Sequence, residues 1–359
     1  MVNPTSGRTP TLADVAARAG VSSATVSRCL NAPGRVQAKT RARILEAVQA
    51  LGYSPNFGAR ALAARRTDTI GAVVPTLDNA IFARGLQAFQ SALAERGMTL
   101  LLASSSYRPD LEAAQIRALV ARGAEGLLLI GHDRDPDIRD FLALHGVPAL
   151  VAWAHDPERP GASVGFDNRA AMAAMAASVL DRGHRRLGMI SAPVAENDRA
   201  RERVEGVRLA MTARGLDPAA LLLIETPYGI ETGARAFADL MGRPDRPTAI
   251  LCGNDVLAVG ALRQARIMGV AVPDQVSVTG FDDMELATIA DPPLATVRVP
   301  HSDMGARAAD LLCAMVREGA APLQVELPTE LRLRRSLGSV PPLDAGSAPV
   351  PDGSEESPP

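Results

Sequence analysis

A chain of 359 residues, 47% hydrophobic and 22% charged, holds enough apolar side chains for a sizeable core and more than one domain, which excludes a disordered or fibrous protein. No apolar run approaches the ~20 residues that span a bilayer, and MVNPTSGRTP lacks a secretory leader's hydrophobic stretch, so a cytoplasmic location without a membrane partner is expected. The net charge of −2 conceals an asymmetry: residues 1–66 carry ten Lys and Arg against Asp14 and Glu46, a formal +8, and the remainder stands at −10. A basic arm on an acidic body points to a polyanion such as nucleic acid, the plain alternative being a merely soluble basic domain. Cys29, Cys252 and Cys313 lie too far apart for a C-x-x-C pair, so they read as small core residues rather than a disulfide framework or zinc site.

Along the chain, "TPTLADVAARAG" predicts a short helix: Thr11 caps it with Asp14 three residues on, Leu12, Val15, Ala16 and Ala19 form one apolar face, and Gly20 stops it. Ser22 caps a second helix in which Val26 and Leu30 point inward and Ser23, Ala24, Ser27 and Arg28 outward. A third runs from about Ala38 to Gly52, with Ile44, Leu45, Val48 and Leu51 expected to be buried. Two short helices joined by a glycine-containing turn, with a third behind, make a helix-turn-helix. An unremarkable three-helix bundle fits the pattern too, and the +8 charge favours DNA. After Pro55, "NFGARALAARR" reads as an Ala-rich helix too short to be stable alone.

From Ile70 the style changes. The runs "TIGAVVP", "MTLLLAS", "GLLLIG", "VPALVAW", "RLGMIS", "LLLIE", "TAILCG" and "QVSVTGFD" alternate with amphipathic segments, the pattern of parallel sheets covered on both faces. This length predicts two α/β lobes with a binding cleft between them. From Gly338 the chain is acidic and rich in Pro, Gly and Ser, which predicts a disordered tail. The expected organisation is a DNA-binding head over 9–54, a hinge over 55–67, an effector-binding and dimerisation body over 68–337 and a tail over 338–359. There is no G-x-S-x-G, Walker A or H-E-x-x-H motif, and the histidines, His132, His184 and His301 among them, have no ligand spacing. No catalytic residue, metal or cofactor is therefore expected.

The stretches "TLADVAARAGVSSATVSRCLN", "GARALA" and "CGNDVLAVGALRQARIMGVAVPDQVSVTGFDD" followed by "DPPLATVRVP" resemble the head, hinge helix and C-terminal lobe of the LacI family of bacterial transcription regulators. The resemblance implies an all-α helix-turn-helix head and hinge helix followed by a two-lobed α/β body of periplasmic-binding-protein form. It implies a homodimeric repressor on double-stranded operator DNA, controlled by a small sugar or sugar-acid effector in the cleft. Ser23, Ala24 and Arg28 fall at the positions that choose operator bases, and Thr11, Ser22, Thr25, Ser27 and Asn31 at those that hold phosphates. Asn56 matches the hinge N-cap and Leu62 the leucine wedged into the central minor-groove step.

For the cleft, the family pattern carries over to Phe82, Arg203, Tyr228, Asn254 and Asp282, chemistry suited to orienting a polyol. Trp153 replaces an aspartate found in other members, and its surroundings look most like the gluconate-repressor subgroup. With Arg199 and Arg201 beside Arg203, this favours an anionic ligand such as a sugar acid, while the cluster equally fits a solvated face. A rival reading is a sugar-binding protein for uptake, which has the same two-lobed form; the basic head and missing leader oppose it.

Overall fold

The computed structural model describes residues 9–54, 66–77 and 81–340; within helix 23–31 the side chain of Asn31 is not described. The expected hinge helix with Asn56 and Leu62 and the tail beyond 340 lie outside the described residues. The chain divides into two compact units at Thr67/Asp68, each taken by itself below.

The first unit contains α1 (Leu12–Ala19), α2 (Ser23–Asn31) and α3 (Ala38–Leu51). Thr11 and Asp14 form a reciprocal capping box, with Thr11 N–H donating to Asp14 at 2.8 Å and Asp14 N–H to Thr11 Oγ1 at 3.3 Å. Gly20 ends α1 at φ 64°, a left-handed conformation that glycine adopts without strain. Val15, Ala16, Ala19, Val26, Cys29, Ile44 and Ala47 form the core, with Leu30, Val48 and Leu51 partly buried against it. Leu45 departs from expectation and is half exposed, at 50%. It lies one residue, about 100° of helical rotation, from Ile44, and the buried stripe runs through 44, 47, 48 and 51 instead.

The second unit has two lobes. The first holds β1 (Thr69–Val74), α4 (Ala83–Glu95), β2 (Thr99–Ser104), α5 (Pro109–Ala121), β3 (Gly126–Ile130), α6 (Pro136–Leu144), β4 (Ala149–Ala152) and β5 (Ala162–Gly165). The second holds α7 (Asn168–Asp181), β6 (Leu187–Ser191), α8 (Asp198–Thr212), β7 (Leu222–Glu225), α9 (Ile230–Met241), β8 (Ala249–Cys252), α10 (Asp255–Met268), β9 (Ser277–Thr279), α11 (Glu285–Ile289) and β10 (Thr296–Arg298). The chain then returns to the first lobe as α12 (His301–Glu318) and β11 (Gln324–Glu326), and crosses back as β12 (Glu330–Arg332). The lobes are thus joined by three chain crossings.

The first sheet has the order β2-β1-β3-β4-β5-β11 and the second β7-β6-β8-β9, every pairing parallel; β10 and β12 form an antiparallel ribbon. Alternation along the strands explains the continuous apolar runs. Ile70, Leu128 and Leu150 face Phe89 and Leu312 of α4 and α12, whereas Val73, Leu127 and Leu129 face Ile116 and Ile138 of α5 and α6. α4 and α12 approach through Gly305, where an added Cβ would collide with the Gly85 carbonyl. The expected tail boundary at Gly338 falls within packed chain: Gly338 N–H donates to Ser277 Oγ at 3.0 Å and Val340 N–H to the Arg182 carbonyl at 3.0 Å.

Candidate functional site

On the head, the outward edge of α2 carries Ser23, Ala24 and Arg28, all exposed, with Thr25 and Ser27 half-buried. Ser22 Oγ caps the helix by accepting from Thr25 N–H at 3.2 Å and lies 2.9 Å from the Thr25 hydroxyl; the Thr11 hydroxyl donates to Asp14 at 2.7 Å. Two of the expected phosphate-holding hydroxyls therefore also shape the helix starts. The exposed strip is small and basic, a form that admits a duplex backbone closely.

In the body, Phe82, Trp153, Arg203 and Asp282 form one buried chain of contacts. The Phe82 and Trp153 rings meet edge to face at 5.3 Å. Trp153, at φ 63° directly after β4, donates its indole N–H to His301 Nδ1 at 3.1 Å, and its carbonyl accepts from Asn168 Nδ2 at 3.0 Å. Arg203 donates through Nε to Asn168 Oδ1 at 2.9 Å and through Nη1 to the Gly253 carbonyl at 2.6 Å, with its guanidinium 3.9 Å from the Phe281 ring centre. Its Nη2 lies 4.0 Å from Asp282 Oδ1, and His301 Nε2 lies 3.9 Å from the same oxygen. Burial pushes the Asp282 carboxyl up to about 7 against the opposing pull of Arg203, and burial pushes the His301 imidazole down to about 4. Asp255, buried beside them, is raised to about 8 by burial and by Asp282, although the Thr296 hydroxyl and the Met284 N–H donate to it.

Asn254 caps α10 by accepting from Leu257 N–H at 2.9 Å, and the Asp255 N–H to Phe281 carbonyl bond holds this turn against the Asp282 turn. Its Nδ2 has no partner, nor have Ser191 Oγ, Thr279 Oγ1, His301 Nε2 or either Asp282 carboxylate oxygen. Ser191, Asn254, Thr279 and Asp282 all stand at the C-terminal ends of β6, β8 and β9, the edge at which α/β sheets bind ligands. A buried polar atom left unsatisfied costs about 1–3 kcal/mol, so this concentration makes the edge able to exchange hydrogen bonds with a polar group from outside the chain.

Tyr228 stands apart. It lines an open cleft of about 820 Å³ together with Tyr107, Asn197 and Met284, and its ring centre lies 6.0 Å from that of Tyr107. Burial, then Tyr228, raises the Tyr107 phenol above its ordinary value, so it remains a neutral donor. Arg199 and Arg201 do not join Arg203. Arg201 makes a two-pronged pair with Asp133 at 2.9 Å to each oxygen, and Arg199 pairs with Asp198 at 2.8 Å. Asp198 in turn accepts from His132 N–H at 2.6 Å, so the start of α8 fastens onto the end of β3 across the lobes. The expected arginine cluster is spent on carboxylates of the chain itself.

His301, Asn168, Phe281 and Tyr107 were missed by the sequence reading. Asn168 stood in the quoted "VGFDN", and His301 opens a helix directly after Pro300, but neither follows a motif with ligand spacing. Among the described residues no cluster of His, Cys, Asp and Glu could hold a metal ion, and no helix is long and apolar enough to cross a membrane.

Residues 11–56 match the family model of bacterial regulatory proteins, lacI family, and residues 176–337 that of a periplasmic binding protein-like domain. Catabolite control protein A from Priestia megaterium is 30% identical over 91% of this chain and 98% of its own length. The HTH-type transcriptional regulator GntR from Pseudomonas aeruginosa is 34% identical over 90% of this chain and 95% of its own. The chain belongs to the LacI family. A solved lac repressor dimer bound to operator and the anti-inducer ONPF shares 26% identity and superimposes with a TM-score of 0.82 over 92% of this chain and 100% of that one. As a LacI-family member the chain is a DNA-binding transcriptional regulator, not an enzyme, with the helix-turn-helix head and the periplasmic-binding-protein-like body of that family.

Proposed function

We propose that this regulator is a cytoplasmic homodimeric repressor whose grip on a pseudo-palindromic operator is set by a small sugar or sugar-acid effector in the inter-lobe cleft. In this reading Ser23, Ala24 and Arg28 choose bases, while Thr11, Ser22, Thr25, Ser27 and Asn31 hold phosphates. Asn56 caps a hinge helix from which Leu62 enters the minor groove. Arg203, Asn254 and Asp282 orient effector hydroxyls, Phe82 and Trp153 wall the inner end, and Tyr228 offers an aromatic face at the outer one. The observation that carries the effector part is the row of partnerless polar atoms on Ser191, Asn254, Thr279 and Asp282 at one strand edge. The solved lac repressor, a dimer bound to operator and the anti-inducer ONPF, supports a dimer responsive to a small molecule here as well.

Selection from random duplexes by the full chain, repeated with a panel of sugars and sugar acids, tests the proposal. A two-fold symmetric sequence with half-sites about one helical turn apart or closer is expected, and one class of panel compound should change its recovery. Enrichment of no sequence, or a recovery indifferent to every compound, would overturn the corresponding half.

A further inference from the structure

We infer that His301 is a hydroxyl-binding residue of the effector cleft: its neutral imidazole carries the proton on Nε2 and donates it to a ligand hydroxyl that also meets Asp282. The inference rests on the effector reading of the cleft given above. It starts from Trp153. An indole N–H can only donate, so His301 Nδ1, 3.1 Å away, must accept, and the ring proton is left on Nε2. Both side chains are buried, Trp153 to 1% and His301 to 6% exposure, so bulk water does not compete with the indole for Nδ1.

Nε2 has no partner that completes a hydrogen bond, and both oxygens of Asp282 lack one as well. The two groups stand 3.9 Å apart, too far to bond each other. An oxygen about 2.8 Å from each would see them at roughly a right angle, a geometry open to one hydroxyl that accepts from His301 and donates to Asp282. Burial lowers the imidazole most, the Asp282 backbone opposes it, and the charges of Arg203 and Arg84 lower it further, so the ring stays neutral near pH 7.

A ligand carboxylate would meet Asp282 as a like charge whenever Asp282 is ionised, whereas a hydroxyl can donate to the ionised form and accept from the protonated one. Nor are Arg199 and Arg201 free to neutralise one, being paired with Asp198 and Asp133. The inner end of the cleft therefore takes a polyhydroxy compound hydroxyl first. The carboxylate of a sugar acid lies outward, toward the open cleft lined by Tyr228 and Asn197.

The test uses the full chain, with sorbitol, D-glucose and D-gluconate as calorimetric probes and ¹⁵N-histidine labelling as a ligand-free readout. The His301 signals, assigned by their loss in His301→Gln, are expected to show the neutral Nε2–H tautomer at pH 7. His301→Phe should weaken every probe that binds by at least about tenfold, His301→Gln should recover part of the loss, and the gluconate-to-sorbitol ratio should not change. An Nδ1–H tautomer or imidazolium at pH 7, unaltered affinity in His301→Phe, or a changed ratio would overturn the assignment alone. Failure of all three probes to bind the parent chain would overturn the sugar-effector reading beneath it.

Discussion

At Asp282 the fold holds a carboxyl without a donor, on backbone at φ 106° where few side chains sit. Its acidity, raised to about 7 by burial, has a thermodynamic consequence of definite sign. Between the ordinary carboxylate range near 4 and about 7, the folded chain binds this proton and the unfolded chain does not, so its contribution to stability falls as pH rises through that window. His301 works oppositely: lowered to about 4, it leaves the unfolded chain with the extra proton up to ~6.5, and stability rises with pH there. Asp282→Asn removes the first contribution and keeps the second, so the variant should gain in thermal stability over the parent by several degrees more at pH 8 than at pH 5, of order ~5 °C. A pH-independent difference in unfolding temperature would contradict it. Asp282 and Arg203 were legible as candidate site residues because they stand in motifs, and Trp153 because it departs from one. His301 was not, because its role arises from an indole 148 positions away in the chain. The arginine trio misled for a related reason: sequence spacing counts charges but does not reveal that Asp133, 68 positions from Arg201, consumes one of them.

The elements divide along the same physical line. The apolar runs of β1, β3, β6 and β8 became strands buried on both faces, since burial on both sides demands a continuous run, whereas those of β2 and β7 became edge strands that are half-buried or exposed. The four strands that no run announced, β5, β10, β11 and β12, are three or four residues long and mix apolar with polar or charged side chains. Two of them, β10 and β12, are held mostly by each other. Where helices meet, the constraint is steric. Gly305 of α12 lies against the Gly85 backbone of α4, so Gly305→Ala must push apart the pair that covers one face of the first sheet. A loss of about 1–3 kcal/mol in unfolding free energy is expected from denaturant titration, the usual cost of overpacking a tight contact. An unchanged midpoint would show that the two helices slide apart freely.

Across the whole molecule, a basic head and an acidic two-lobed body were visible from charge and pattern before any coordinates. What the pattern did not contain was the state of the cleft: the inner polar edge is buried, the outer part open. Three chain crossings and the Arg201–Asp133 and Arg84–Glu285 pairs span the lobes. An effector that satisfies Asp282 and its neighbours in only one arrangement of the lobes shifts the balance between arrangements by its difference in affinity, typically about 1–3 kcal/mol. By linkage, operator and effector must then alter each other's binding to the same extent. Titration of a selected operator duplex into the full chain, with and without a saturating polyol shown to bind it, measures this coupling directly. The account predicts a change in operator affinity of roughly 5–150-fold, abolished in Asp282→Asn; an operator affinity unmoved by a polyol that occupies the cleft would contradict it.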